Sequence, residues 1–194
     1  SGLLGSFFPA FLFCIAETKI DSALAGTLNA LTPAFVIVTG FLMYQTKTSA
    51  IKVVGVLIAL TGSFLLLYTR SPKINDNTWY AGYVLIATVF YGINVNMVRR
   101  NLQQVASLAI ATIAFVFLTI PSLIILWATG FFQLPLTQTV YVKATLASVV
   151  LGVGGTAIAS ILFYVLVKRA GGVFASMVTY GIPFIAIFFF FFYK

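Results

Sequence analysis

The sequence contains no histidine, only three carboxylates (Glu17, Asp21 and Asp76) and a single cysteine, Cys14. Each scarcity removes a class of chemistry. Without histidine there are no His-ligated metal centres and no Ser-His-Asp triads. Three carboxylates at the edges of apolar runs cannot make a two-carboxylate site deep in a fold. One cysteine cannot close a disulfide within the chain, and it says nothing of redox compartment. Charge as a whole is also scarce, at 7% of residues against about 25% in a soluble globular chain. An ordinary water-facing surface cannot be built from these 194 residues, of which 61% are hydrophobic, with a mean hydropathy of +1.11.

The charge that is present is mostly of one sign. A net charge of +8 and a pI near 9.8 would suggest nucleic acid in a soluble protein. Here the eleven Lys and Arg residues stand at breaks between apolar runs, and no basic run exceeds two residues. A nucleic-acid surface needs a clustered basic face, so no nucleic-acid partner is expected. Charge confined to the breaks is instead what the positive-inside rule produces, and the expected partner is the lipid bilayer.

A bilayer core about 30 Å thick takes about 20 apolar residues per helix. Uncharged runs of that order fall at residues 2–16, 23–44, 53–69, 79–97, 105–128, 145–167 and 172–193. Most are apolar on every face, and a chain this small has no interior that could hide seven such cylinders, so they read as membrane spans. The run Phe188 to Phe192 is β-prone, but a lone strand in lipid would leave its backbone unpaired, so it too reads as helix. Alternate breaks lie on opposite sides. One side carries Lys47, Lys52, Arg99, Arg100, Lys168 and Arg169 with no carboxylate; the other carries five cations and all three carboxylates. The tight pairs Arg99-Arg100 and Lys168-Arg169 place the first side in the cytoplasm. The chain opens at Ser1 directly into an apolar run, with no basic leader region or cleavage site, and reads as an internal piece of a longer membrane protein.

Shifted by 150 positions, residues 1–44 align without a gap on residues 151–194. The identities include Gly2/Gly152, Gly5/Gly155, Leu12/Leu162, Phe13/Phe163 and the single mid-helix prolines, Pro33/Pro183. The copies begin at the first and sixth spans, so the repeat is five helices long. Five is odd, so successive copies cross the membrane in opposite senses, as in carriers that open alternately to either side.

The stretch Ala23 to Met43, followed by Ile51 to Leu67 with its Gly55-x6-Gly62 spacing, resembles the end of an EamA-type repeat of the drug/metabolite transporter superfamily. Gly155 to Pro183 resembles the corresponding part of the second repeat. The resemblance implies an all-α, polytopic membrane protein of ten helices with both termini cytoplasmic. Seven of these, the third to the ninth, are visible here in an inverted five-helix repeat. Residues 1–69 would then end the first repeat, 70–78 link the two, and 79–194 form the second repeat without its last helix. The family often carries a Gly-Glu pair at the end of the proline-bearing helix, where Tyr44-Gln45 stands here.

Candidate transport residues follow from the prolines and from polar stripes. A proline inside a helix frees the carbonyl four residues back, that of Asn29 for Pro33 and that of Thr179 for Pro183. Both pair a helix kink with a polar side chain at repeat-related positions, and Thr32 and Tyr180 stand beside them. Such side chains serve either solute binding or bonds between helices. The fourth span carries Tyr80, Ala87, Tyr91 and Asn94 at helical spacing, and Tyr91 with Asn94 suits an aromatic or amphipathic solute. Gly152, Thr156, Ser160 and Tyr164 repeat in the sixth span as either a binding wall or a small-residue seam. Tyr80, Trp79 and Tyr141 read as interfacial belt residues.

No charge lies deep in any span, which favours a neutral, zwitterionic or hydrophobic small-molecule substrate over a strongly anionic one. The expected function is an alternating-access transporter, exporting in direction, in a bacterial inner membrane. No enzyme activity, cofactor or metal is expected, and a homodimer is left open. A retinal protein is excluded because the last span has no interior lysine. A channel should show a continuous polar stripe on several helices; it and a non-transporting packing subunit are the alternatives.

Overall fold

Inside a bilayer no water is present to satisfy backbone groups, so each apolar run must bond to itself as helix. A computed structural model describes residues 1–69, 78–135 and 137–182, and among these there is no strand. A π-helical turn, Leu3–Phe7, leads into α1 (Phe8–Glu17). Helices α2 (Ser22–Asn29) and α3 (Thr32–Tyr44) form one broken rod, followed by α4 (Ala50–Thr69). After a 3-10 turn at Thr78–Tyr80 come α5 (Ala81–Asn101) and α6 (Ser107–Ala128). Helix α7 (Thr139–Val150), a second π-helical segment (Leu151–Ile158) and α8 (Ala159–Ala170) make one long rod. The short α9 (Gly172–Ser176) passes into a 3-10 turn, Met177–Tyr180.

Helical rods thus occupy each of the expected apolar runs, the last described only to residue 182 and the link 70–77 lying outside the described residues. Among the described residues four are long and apolar enough to cross a membrane: Leu24–Tyr44, Ala81–Asn101, Ser107–Ala128 and Thr139–Ala170; Leu3–Glu17 and Ala50–Gly62 are shorter apolar helices. Several bounds differ from the sequence expectation because charges sit inside helix ends. Lys143 lies within the 32-residue rod Thr139–Ala170, Lys52 in the first turn of α4, and Arg99 and Arg100 in the last turn of α5. Long cationic side chains reach back to the headgroups from such positions, and at a helix C-terminus they complement its dipole.

Helix α5 is the hub, packing on α1, α2, α3, α8 and α9. Its contact with α3 is close because glycine removes the intervening atoms. A Cβ at Gly92 would lie 2.9 Å from the Phe35 carbonyl, and one at Gly40 would lie 3.0 Å from the Asn96 side-chain oxygen. Asn96 locks this seam, its Nδ2 donating to Val36 O at 2.8 Å, Thr39 Oγ1 at 3.0 Å and Gly92 O at 3.0 Å. Toward the basic end, Val36, Val95, Val98, Val167 and Val173 form a buried apolar plug between α3, α5, α8 and α9. Arg100 donates to the Tyr44 carbonyl at the end of α3, and Lys168 donates to the Val105 carbonyl. By contrast α6 and the rod Thr139–Ala170 turn large apolar side chains outward, among them Phe117, Ile120, Val150 and Leu151, as lipid-facing helices do.

Two features recur at the 150-residue offset. The π turn Leu3–Phe7 has its counterpart inside Leu151–Ile158. The backbone also loosens before each proline: Ala30 N–H is shared between the carbonyls of Gly26 and Thr27, and Met177–Tyr180, offset-equivalent to residues 27–30, is a 3-10 turn. The two broken rods lie against each other and run antiparallel. A Cβ at Gly172 would approach Val36 to 3.5 Å, whereas one at Gly26 would approach Ile182 to 3.6 Å.

Candidate functional site

The most distinctive polar group in the interior is the side chain of Asn94. Helix α5 carries it 13 residues past Ala81, about 20 Å along the axis, and it is 3% exposed. The first π turn presses against it, since a Cβ at Gly5 would lie only 2.4 Å from Asn94 Nδ2. A π turn adds one residue to a helical turn and is frequent at functional sites; here it brings the bare face of Gly5 flush with the amide. From the other side α8 supplies the buried Tyr164, whose hydroxyl faces the side chains of Asn94 and Ser1. Asn94 Oδ1 has no hydrogen-bond partner among the described residues. A buried acceptor left unpaired costs about 1–3 kcal/mol, so a solute that brings an N–H or O–H to this oxygen recovers that cost. One turn back on α5, Tyr91 is half-buried with its ring 6.3 Å from that of Phe13. Apolar and aromatic side chains thus surround one buried amide.

The other sequence-predicted residues fall elsewhere. Asn29 and Thr32 are buried against each other: Thr32 Oγ1 donates to the Asn29 carbonyl at 2.7 Å and lies 3.2 Å from Asn29 Oδ1. The carbonyl released by Pro33 is therefore capped from within. The rod is broken at Ala30 and Leu31 rather than bent through a continuous helix, and Pro33 begins α3 at its second position, where a missing N–H has no cost. Asn29 is seven residues beyond Ser22, about 10 Å along its rod, so the candidate residues divide into two groups at different depths. Thr179 Oγ1 donates to the Ser176 carbonyl at 2.8 Å, and the Tyr180 hydroxyl donates to the Val56 carbonyl of α4 at 3.2 Å. Thr156, half-buried in the second π segment, is eight residues before Tyr164, about 12 Å along the axis. Pro183 lies outside the described residues. Trp79, Tyr80 and Tyr83 form an aromatic cluster at the start of α5 with centroids 4.1–5.8 Å apart.

Two residues escaped sequence reasoning. In the sequence Gly5 stands out only as a repeat identity, and its contact with Asn94 depends on a π turn that no propensity announces. For Asn96 the available signal is Gly92 four residues before it, the small residue of a tight helix seam.

The EamA-like transporter family matches residues 1–68 and 78–194. The chain belongs to the EamA-like transporter family. Protein PagO of Salmonella typhimurium strain LT2 is 27% identical over 188 residues, covering 91% of this chain and 60% of PagO. The chain thus spans under two thirds of the length of that relative. No solved structure matches. Family membership and the apolar helices together make it an integral, multi-pass membrane protein. In an EamA-like chain the π turns, the broken rods and the buried amide are features of one membrane-embedded bundle.

Proposed function

We propose that the protein is a secondary transporter working by alternating access, which moves a small neutral, zwitterionic or hydrophobic metabolite or drug outward across a bacterial inner membrane and carries out no enzymatic reaction. The observation that carries this reading is the unpartnered oxygen of Asn94, enclosed by Tyr164 and the glycine face of the first π turn. The Asn96 amide nitrogen is by contrast spent on bonds within the α3–α5 seam. The antiparallel rods of the two copies support the inverted-repeat arrangement, in which a solute site lies between half-related elements. The valine plug toward the basic end supports a resting state closed on that side, which would open as α9 moves away from α3 and α5.

The test is transport by the full-length protein in proteoliposomes, using a panel of uncharged and zwitterionic solutes. Asn94→Leu is expected to lower flux about tenfold, the loss of roughly one charge-free hydrogen bond to the solute, with unchanged yield of folded protein. Wild-type flux in that variant would remove Asn94 from the site.

A further inference from the structure

At the basic end, apart from the Asn94 site, the α3–α4 loop, the start of α4 and the end of α5 enclose a cleft lined by Thr46, Lys47, Thr48, Lys52 and Arg99, with Asn96 at its inner edge. Three elements each contribute a cation to one concavity. Both carboxylates among the described residues, Glu17 and Asp21, stand beside the α1–α2 turn, at the other end of the rod that finishes at Tyr44. General positive-inside bias does not account for this convergence. Arg100 and Lys168 of the same end are engaged with the backbone carbonyls of Tyr44 and Val105, and Arg169 is exposed outside the cleft.

Like charges held in one cleft repel unless an anion joins them. The loop geometry adds to the positive field. Gln45 turns through a left-handed conformation, φ 51°, and points the chain so that the 20-residue α4 begins at the cleft, its free N–H groups and dipole adding partial positive charge. Arg99 lies over Gly171, whose φ of 92° is a backbone conformation that residues with side chains rarely adopt; a Cβ there would stand 3.4 Å from Arg99 Nη1. A planar guanidinium fork with two ammonium groups and two threonine side chains around it offers enough donors for the several oxygens of a phosphate. Beside the cleft, Leu42, Met43 and Ile51 are exposed, Ile51 to 84%, so an apolar surface adjoins the charged one.

We propose that this cleft is a phosphate-binding site, occupied by the phosphate of an anionic phospholipid headgroup or of a soluble phosphate ester on the basic side of the membrane. The test uses the full-length protein purified in neutral detergent and native mass spectrometry with added phosphatidylglycerol, phosphatidylcholine or inorganic phosphate. Lys47→Gln/Lys52→Gln/Arg99→Gln is compared with a charge-loss control, Lys143→Gln/Arg169→Gln, and thermal melting in detergent confirms that both are folded. Phosphatidylglycerol retention is expected to fall about fivefold or more in the cleft variant, to hold in the control, and to exceed phosphatidylcholine retention in the wild type. Phosphatidylglycerol retention that inorganic phosphate does not displace identifies the lipid as the source. Saturable binding of inorganic phosphate with the same dependence on the three cations identifies a soluble phosphate ester. Equal retention of every probe by the wild type and the cleft variant, or equal losses in the cleft variant and the control, would overturn the proposal. Should the triple variant fail to fold, Arg99→Lys, which keeps the charge but loses the fork, is expected to weaken binding about threefold, and no change in it would count against the site.

Discussion

Asn94 and Asn96 stand two residues apart on α5, equally buried, and their surroundings are opposite. The Asn96 amide nitrogen makes three hydrogen bonds, to Val36, Thr39 and Gly92. The Asn94 amide oxygen makes none among the described residues, while the rest of that side chain meets the Tyr164 hydroxyl and the bare face of Gly5. The difference arises from helical geometry, since a two-residue step turns the side chain by about 200° at 3.6 residues per turn. One amide faces the tight seam with α3 and the other faces α1 and α8. Residue type alone therefore does not separate an asparagine bonded across a helix seam from one whose oxygen is left without a partner; what each oxygen and nitrogen touches does.

The contrast can be broken from the Asn94 side with the largest effect. Gly5→Val would place side-chain atoms where the Asn94 amide lies, and overpacking of this kind costs about 1–3 kcal/mol. Transport in vesicles is expected to fall to background, whereas Gly152→Val, whose glycine has nothing within 4 Å of a Cβ, is expected to leave it unchanged. Asn94→Leu comes next: flux falls about tenfold while the melting temperature is held or rises, because an unpaired buried polar group has been removed. Asn96→Leu is expected to show the reverse, a stability loss of about 1–3 kcal/mol in detergent unfolding with flux per folded molecule close to normal. The smallest effect is at the loop beyond the seam. Gln45→Gly relieves a left-handed conformation and is expected to stabilise by up to about 1 kcal/mol, read as a small rise in melting temperature.

Much of the architecture was legible in the sequence because a bilayer leaves the backbone so few options. Apolar runs without charge became helices, and the breaks at Thr18 to Asp21, Gln45 to Ser49 and Gly171 fall between rods. The bounds were less legible where Lys52, Arg99, Arg100 and Lys143 sit inside helix ends, since a charge in the sequence does not say whether its side chain reaches back to the interface. Of the site, Asn94 and Tyr164 were both named from stripes on separate spans, and the fold brings them face to face. Asn29 and Thr32 were named for a carbonyl that Pro33 releases, and the structure adds what sequence could not give, that the Thr32 hydroxyl takes up that carbonyl itself. The π turn at Leu3–Phe7 left no mark in periodicity, and with it the significance of Gly5 was hidden.

Access from water to position 94 is the most direct measurement. In a Cys14→Ser background, Asn94→Cys and, as a reference fully buried on the same helix, Thr88→Cys of the full-length protein are exposed in membranes to a small water-soluble methanethiosulfonate. Asn94→Cys is expected to react at least about tenfold faster than Thr88→Cys, a gap of roughly 1.4 kcal/mol in access, and to be protected by transported solutes. Equal rates at the two positions, or a Cys at position 94 that stays unreactive, would contradict a solute pathway at Asn94.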